Sequence, residues 1–159
     1  MKVIFSGDVF LRQRVPMVQS RLNELFVSAD YSFFNLEAPI VEDSSQSPIG
    51  KSGPNLKHSA GVVTSFIKNI GVNCVTLGNN HIRDFGDNGV CNTIEFCKKE
   101  NILLVGAGRD IEEASESLIL KSSDSQVAVI NVAENEWCSA SKYRAGSHPL
   151  DVVKISRKI

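Results

Sequence analysis

The 159-residue sequence has no apolar run approaching the ~18 residues a membrane-spanning helix needs. Its N-terminus, MKVIFSGDVF, offers a lysine, a strand-like run and a polar turn. A secretory leader would need about 7–15 apolar residues and a small-residue cleavage site. These absences predict a cytoplasmic chain with no membrane segment. A basic excess is missing too: 17 Lys and Arg stand against 18 Asp and Glu, for a net charge of -1. No like-charge block is longer than Lys98–Lys99. Phosphate neutralisation therefore has no basic face to work from, and no nucleic acid is expected as a partner. The four cysteines (Cys74, Cys91, Cys97, Cys138) contain no CxxC pair, so a zinc knuckle is not expected and they read as buried free thiols. Internal repeats and domain boundaries are also lacking.

What remains is an ordinary globular mixture, 42% apolar and 22% charged, in a chain able to bury roughly 70% of its unfolded surface around one core. Lys2–Phe5 reads as a strand ending at Ser6-Gly7-Asp8. A helix is expected next, with Pro16 in its first turn and Val15, Val18, Leu22, Leu25 and Phe26 at helical spacing. Tyr31–Leu36 is a buried aromatic strand. Glu42 to Lys57 is polar and too long for an ordinary connection, hence a functional loop or a locally disordered one. Val62, Val63, Phe66, Ile67 and Ile70 mark a helix stopped by Gly71. Asn73–Leu77 is a third strand. Asp87 is placed to cap a helix burying Val90, Ile94 and Cys97. Ile102–Gly106, Leu118–Leu120 and Val127–Val132 are further strands, with a short helix from Ile111. Alternating strand and helix with near-continuous apolar strands predicts an α/β fold with a covered, largely parallel sheet. Asp151–Ile159 has Val152, Ile155 and Ile159 on one helical face and no stop signal, which reads as a chain cut within an element.

Ligands of open α/β sheets bind outside the carboxyl ends of strands, and here each such end is polar. Asp8 follows the first strand, Asn35 and Glu37 end the second, and Asn79, Asn80 and His81 follow the third. Arg109 follows the fourth, and Glu134, Asn135 and Glu136 the last. Carboxylates, an amide oxygen and an imidazole suit a divalent metal. Each also has a plain structural reading: Asp8 as a cap, Glu37 as a turn residue, Asn79 and Asn80 as left-handed turn residues. A histidine after paired asparagines is poorly explained by packing. His58 and His148 sit in polar loop sequence and are expected to be solvated. Gly106-Ala107-Gly108-Arg109 lacks the third glycine of a dinucleotide fingerprint and the lysine of a P-loop; its arginine is either an anion clamp or a surface residue. Gly50–Pro54, with Lys51, is a phosphate- or carboxylate-binding turn or a surface loop.

GDVFL (Gly7–Leu11), FFNLEAPI (Phe33–Ile40), GPNL (Gly53–Leu56), LGNNHIRDFGDNGVCNTIEF (Leu77–Phe96) and GAGR (Gly106–Arg109), in that order, resemble the CapA family of capsule or poly-γ-glutamate biosynthesis proteins. That family is similar in fold to the calcineurin-like metallophosphoesterases. The resemblance implies a layered α/β sandwich, incomplete at its C-terminus, of which residues 1–159 are the N-terminal portion. By position it implies metal ligation by Asp8, Glu37 and Asn80, with His81 as general acid and Asp84 orienting it. Asn35, Lys51, Asn79, Arg109, Glu134 and Glu136 would contact substrate, and Glu134–Trp137 would line the cleft. The ion would be Mn, Zn or Fe in the full-length protein. Two positions depart from the pattern: Phe10 stands where a ligating histidine is expected, and Ile82 where an acidic residue is common. The chain thus carries about half of a two-metal site and is expected to be inactive alone.

The expected parent activity is a metal-dependent hydrolase or transferase acting on phosphoryl or γ-glutamyl linkages of a small-molecule or polyanionic polymer substrate. The rival is a non-catalytic component of polymer synthesis that binds a polyanion or nucleotide; a third reading is a metal-free regulatory domain whose long loop closes over a small anion. Uncovered sheet surface would favour self-association.

Overall fold

The computed structural model describes residues 1–13 and 20–157. Four parallel strands form the main sheet: β1 (Val3–Val9), β2 (Tyr31–Leu36), β3 (Cys74–Thr76) and β4 (Leu103–Val105), in spatial order β1-β2-β3-β4. They alternate with α1 (Ser20–Val27), α2 (Ala60–Ile70) and α3 (Gly86–Lys99). Because the strand order never reverses, right-handed crossovers put α1, α2 and α3 on one face. The α/β architecture with a parallel sheet is the one the sequence predicts. Val15, Pro16, Val18 and Ile159 lie outside the described residues.

β2 is central, and its period-2 alternation separates the two faces. Phe34 and Leu36 enter the main core with Val63, Ile67 and Ile70 of α2 and Val90, Ile94 and Cys97 of α3. Phe33 points the other way, with Cys74 and Val105, and meets Leu120 and Val129. Those last two belong to an antiparallel hairpin, β6 (Leu118–Lys121) with β7 (Gln126–Val129). It follows β5 (Ala107–Gly108) and α4 (Ile111–Ala114), and β5 pairs with β8 (Gly146–Ser147). The hairpin covers only part of that face. Phe5 of edge strand β1 stacks on Phe33 at 4.6 Å yet stays 59% exposed.

Helix boundaries follow local chemistry. Gly71 ends α2 in the left-handed region, φ 78°, with its N–H on the Ile67 carbonyl. Ser59 makes no side-chain cap; the Glu42 carboxylate accepts the Ala60 N–H instead. Asp87 is not the cap of α3, which Phe85 begins; it lies in the first turn and binds Arg83 at 2.6 Å. The terminal helix α5 (Val152–Ser156) is capped by Asp151, which accepts the Lys154 N–H at 3.0 Å. Cys74, Cys97 and Cys138 are buried and all four cysteines are free; burial pushes the Cys74 and Cys97 thiols up to about 12.

The expectation of solvated histidines is overturned, since both His58 and His148 are buried. His58 Nε2 accepts the Leu11 N–H at 3.0 Å, and Nδ1 donates to the Ala38 carbonyl at 3.1 Å. It clamps the segment after β1 to the segment after β2, which polar sequence context does not reveal. Desolvation holds its imidazole down to about 4, against an ordinary 6.5. The unfolded chain takes up this proton as pH falls through 6.5, whereas the folded chain resists until about 4. Stability present above pH 6.5 should therefore decline progressively between 6.5 and 4, by on the order of 3 kcal/mol. Urea midpoints across that window should show the slope, and His58→Gln should remove it; an unchanged slope in the variant would refute the assignment.

Candidate active site

Parallel strands place all their carboxyl ends on one edge, and most of the candidate residues gather there. Residues 80–85 coil as turns ahead of α3, with the Asp84 N–H on the His81 carbonyl at 3.0 Å. That coil brings the i and i+3 side chains to the same side. His81 Nδ1 and Asp84 Oδ2 are 2.7 Å apart. An ionised carboxylate only accepts, so Nδ1 carries the proton and Nε2 is the nitrogen left for chemistry. Nε2 has no hydrogen-bond partner among the described residues.

Asp84 is fully buried, so its charge demands compensation from every side. The Lys51 ammonium pairs with Oδ1, and the Leu56 N–H donates to Oδ2 at 2.7 Å. The Asp84 carbonyl also accepts the Ile49 N–H at 2.9 Å. The polar stretch from Glu42 to Lys57 is thereby an ordered loop wrapped on one carboxylate. Lys51 is only 3% exposed, and its Nζ lies 3.2 Å from His81 Nδ1 and 5.3 Å from the Trp137 ring centre. The Trp137 indole N–H donates to the Asn80 carbonyl at 3.0 Å. Trp137 is thus part of the cluster, although sequence reasoning placed it only in the cleft lining; a lone tryptophan beside two glutamates was the available signal.

Other candidates hold the scaffold. Asp8 sits within β1, past a register shift and opposite Asn35, not beyond the strand. Its Oδ1 accepts from the Asn35 amide at 2.7 Å. The Asn35 oxygen accepts in turn from Thr76 at 3.3 Å and Asn79 at 3.1 Å. Asn79 also donates to the Leu36 carbonyl at 2.9 Å and accepts the His81 N–H at 3.0 Å. The amides of Asn35 and Asn79 are thus spent on tying β1, β2, β3 and the His81 turn together, and Lys51 is spent on Asp84. Glu37 follows β2, its N–H on the Val9 carbonyl at 3.2 Å. Arg109 lies apart from the cluster's contacts and pairs with Glu113 at 3.0 Å and Glu95 at 3.9 Å. Glu134 is exposed and Glu136 half-buried. Ile82 is fully buried in the main core, which accounts for an apolar residue at that position.

The glycines near the strand ends serve packing. A Cβ on Gly78 would meet Asn131 Oδ1 at 2.6 Å, and one on Gly106, whose φ is +97°, would collide with the same atom. Asn131 plugs the space between them and accepts the Gly78 N–H at 2.6 Å. A Cβ on Gly108 would strike the backbone at Ala114. GAGR is a tight-packing run, with no anion loop required to explain it.

The metal implied by the resemblance meets two exposed or half-exposed carboxylates, Asp8 and Glu37, plus the amide of Asn80. One Asp8 oxygen already faces an amide nitrogen. Among the described residues no three His, Cys, Asp or Glu are grouped to hold an ion. This donor set does not fit a two-metal centre, and Phe10 adds none, its ring lying 5.3 Å from the His58 ring. Surface cavities of about 220 Å³ beside Leu104 and Gly106 and about 450 Å³ beside Ile40 and Phe96 lie elsewhere. No helix among the described residues is long and apolar enough to cross a membrane.

A family model described as "Bacterial capsule synthesis protein PGA_cap" matches residues 2–156. The chain is 24% identical over 138 residues, 80% of its length, to the capsule biosynthesis protein CapA of Bacillus anthracis, of which this covers 33%. Two uncharacterized proteins of Sinorhizobium fredii (strain NBRC 101917 / NGR234), y4sH and y4uA, are each 27% identical over 116 residues, covering 72% of this chain and 25% of theirs. The chain therefore spans a third to a quarter of the length of the curated relatives it matches.

Removing the Lys51 charge should leave Asp84 buried without its cation. Lys51→Met is expected to destabilise the fold by roughly 3–5 kcal/mol in urea titration. A loss within about 0.5 kcal/mol, typical of a surface substitution, would show that Lys51 is not the compensating charge.

Proposed function

The chain belongs to the bacterial capsule synthesis family, and from that premise we propose that its strand-end cluster is an acid–base site for cleaving or transferring a phosphoryl or γ-glutamyl linkage of a capsule polymer or its precursor. The observation that carries this reading is the His81–Asp84 bond, with Nε2 left without a partner among the described residues. Asp84 holds the ring through Nδ1–H; the imidazolium form, protonated on Nε2 as well, gives the Nε2 proton to the departing oxygen or nitrogen as an attacking water or acceptor displaces it, so the group leaves uncharged and the ring returns to its Nδ1–H tautomer. Lys51 and the Leu56 N–H hold the Asp84 carboxylate stationary, so no reorganisation is needed when proton transfer occurs. No step is routed through a metal, because the residues present do not make up its ligand set.

A second reading, a non-catalytic component that holds a polyanion or nucleotide, is favoured by the lack of a three-donor cluster among the described residues. It is opposed by Lys51, whose charge is paired and shielded from solvent. The inactivity expected of half a metal site goes with this second reading.

Two substrates separate them: an alkyl phosphodiester and a γ-glutamyl anilide, assayed with Mn, Zn or Fe(II) present. His81→Ala and Asp84→Asn should each lower kcat by roughly 10²–10⁴-fold. The His81→Ala loss should shrink when p-nitrophenolate, which needs no proton, is the leaving group. Turnover indifferent to His81 would sink the acid–base role. No turnover with either substrate under any metal would select the binding component.

A further inference from the structure

We propose that Trp137 is a positioning residue of the acid–base site, holding the peptide unit that carries His81 through its indole N–H. The inference deepens the acid–base reading and rests on it for any effect on rate. Both ends of the Asn80–His81 peptide unit are bonded. Its carbonyl accepts the Trp137 indole N–H at 3.0 Å, and its N–H donates to Asn79 Oδ1 at 3.0 Å. The next peptide unit is held too, since the His81 carbonyl accepts the Asp84 N–H at 3.0 Å. With both flanking units fixed, the direction in which the His81 side chain leaves the backbone is set. The Nδ1 bond to Asp84 at 2.7 Å then fixes the ring. Of these four bonds only the one from Trp137 comes from outside residues 79–84, across 57 positions of sequence. A turn closed by its own bonds can rock as a unit, and a bond from a distant segment stops that motion.

The segment that carries Trp137 is itself anchored. Cys138 is fully buried, and its carbonyl accepts the Ser147 N–H of β8 at 2.7 Å. The Ala140 N–H donates back to the Ser147 carbonyl at 2.8 Å. A Cβ on Gly146 would collide with the Cys138 carbonyl, so this close approach needs a glycine there. β8 pairs with β5, which follows β4 of the main sheet. Trp137 therefore stands on a rigid support, as a residue that orients another must. Its ring adds a second restraint. The Lys51 ammonium lies 5.3 Å from the ring centre and 3.2 Å from His81 Nδ1, and the Lys51 side chain is 3% exposed. An aromatic face attracts an ammonium and keeps water from it, which supports the cation that pairs with Asp84. Trp137 acts through His81; nothing in this role requires it to touch substrate.

Trp137→Phe keeps a ring and deletes the N–H, which makes it the discriminating variant. It should lower kcat for an alkyl phosphodiester or a γ-glutamyl anilide by about tenfold, the effect of a displaced proton donor. With a p-nitrophenyl phosphodiester, whose leaving group needs no proton, the loss should be less than about twofold. A merely structural role would lower both alike, and equal losses overturn the proposal. A second measurement needs no turnover. In the 159-residue chain without added metal, the His81 Nδ1–H proton should give a slowly exchanging downfield NMR line, identified by its disappearance in His81→Ala. In Trp137→Phe that line should exchange with water several-fold faster while the urea midpoint shows the fold intact. Exchange at the wild-type rate overturns the proposal whether or not either substrate reacts. Turnover indifferent to His81→Ala sinks the acid–base reading instead, and the proton line still decides whether Trp137 positions the ring.

Discussion

A carboxylate withdrawn from water is the constraint around which this site is organised. Asp84 has no solvent to stabilise its charge, so the fold must bring donors to it. It draws Lys51 and the Leu56 N–H from one long loop and His81 from its own turn. A polar segment of sixteen residues, Glu42 to Lys57, that would otherwise have little reason to adopt one path is thereby given one. The same demand aligns the imidazole, because satisfying Asp84 fixes which nitrogen of His81 faces inward. One side chain thus sets both the path of the loop and the orientation of the imidazole.

The sheet supplies the place where that happens. Sequential parallel strands put the helices on one face and the carboxyl ends on one edge, and the loops leaving that edge must pack closely. Gly78 and Gly106 allow the approach, and Asn131 fills the gap between them. Asn35 and Asn79 extend the same logic sideways, joining three strands and the His81 turn by side-chain amide hydrogen bonds. Asn35, Asn79, Lys51 and Asp84 are here consumed in mutual bonding, whereas His81 Nε2 has no partner among the described residues.

Much of this was legible in the residues. The YSFFNL run matches β2 from end to end, and Gly71 stops α2 where its backbone freedom is required. The family resemblance implies that Asp84 orients His81, and the two side chains lie 2.7 Å apart. His58 was misread because local polarity says nothing about a partner forty-seven residues away, Leu11, whose N–H it accepts. Arg109, readable from the residues as an anion clamp or a surface arginine, pairs with Glu113 and Glu95. Lys51 pairs with Asp84, a partner the residues do not reveal, because sequence shows a charge without showing what neutralises it.

By itself, then, the sequence determined the alternation of elements, the parallel sheet and the clustering of polar residues at strand ends, since these depend on local periodicity and turn chemistry. Tertiary structure alone decided which polar residues are spent and which are free. That division depends on long-range pairing and on burial, quantities that exist only once Lys51, Asp84, Trp137 and His81 have been carried from distant parts of the chain to the same few ångströms.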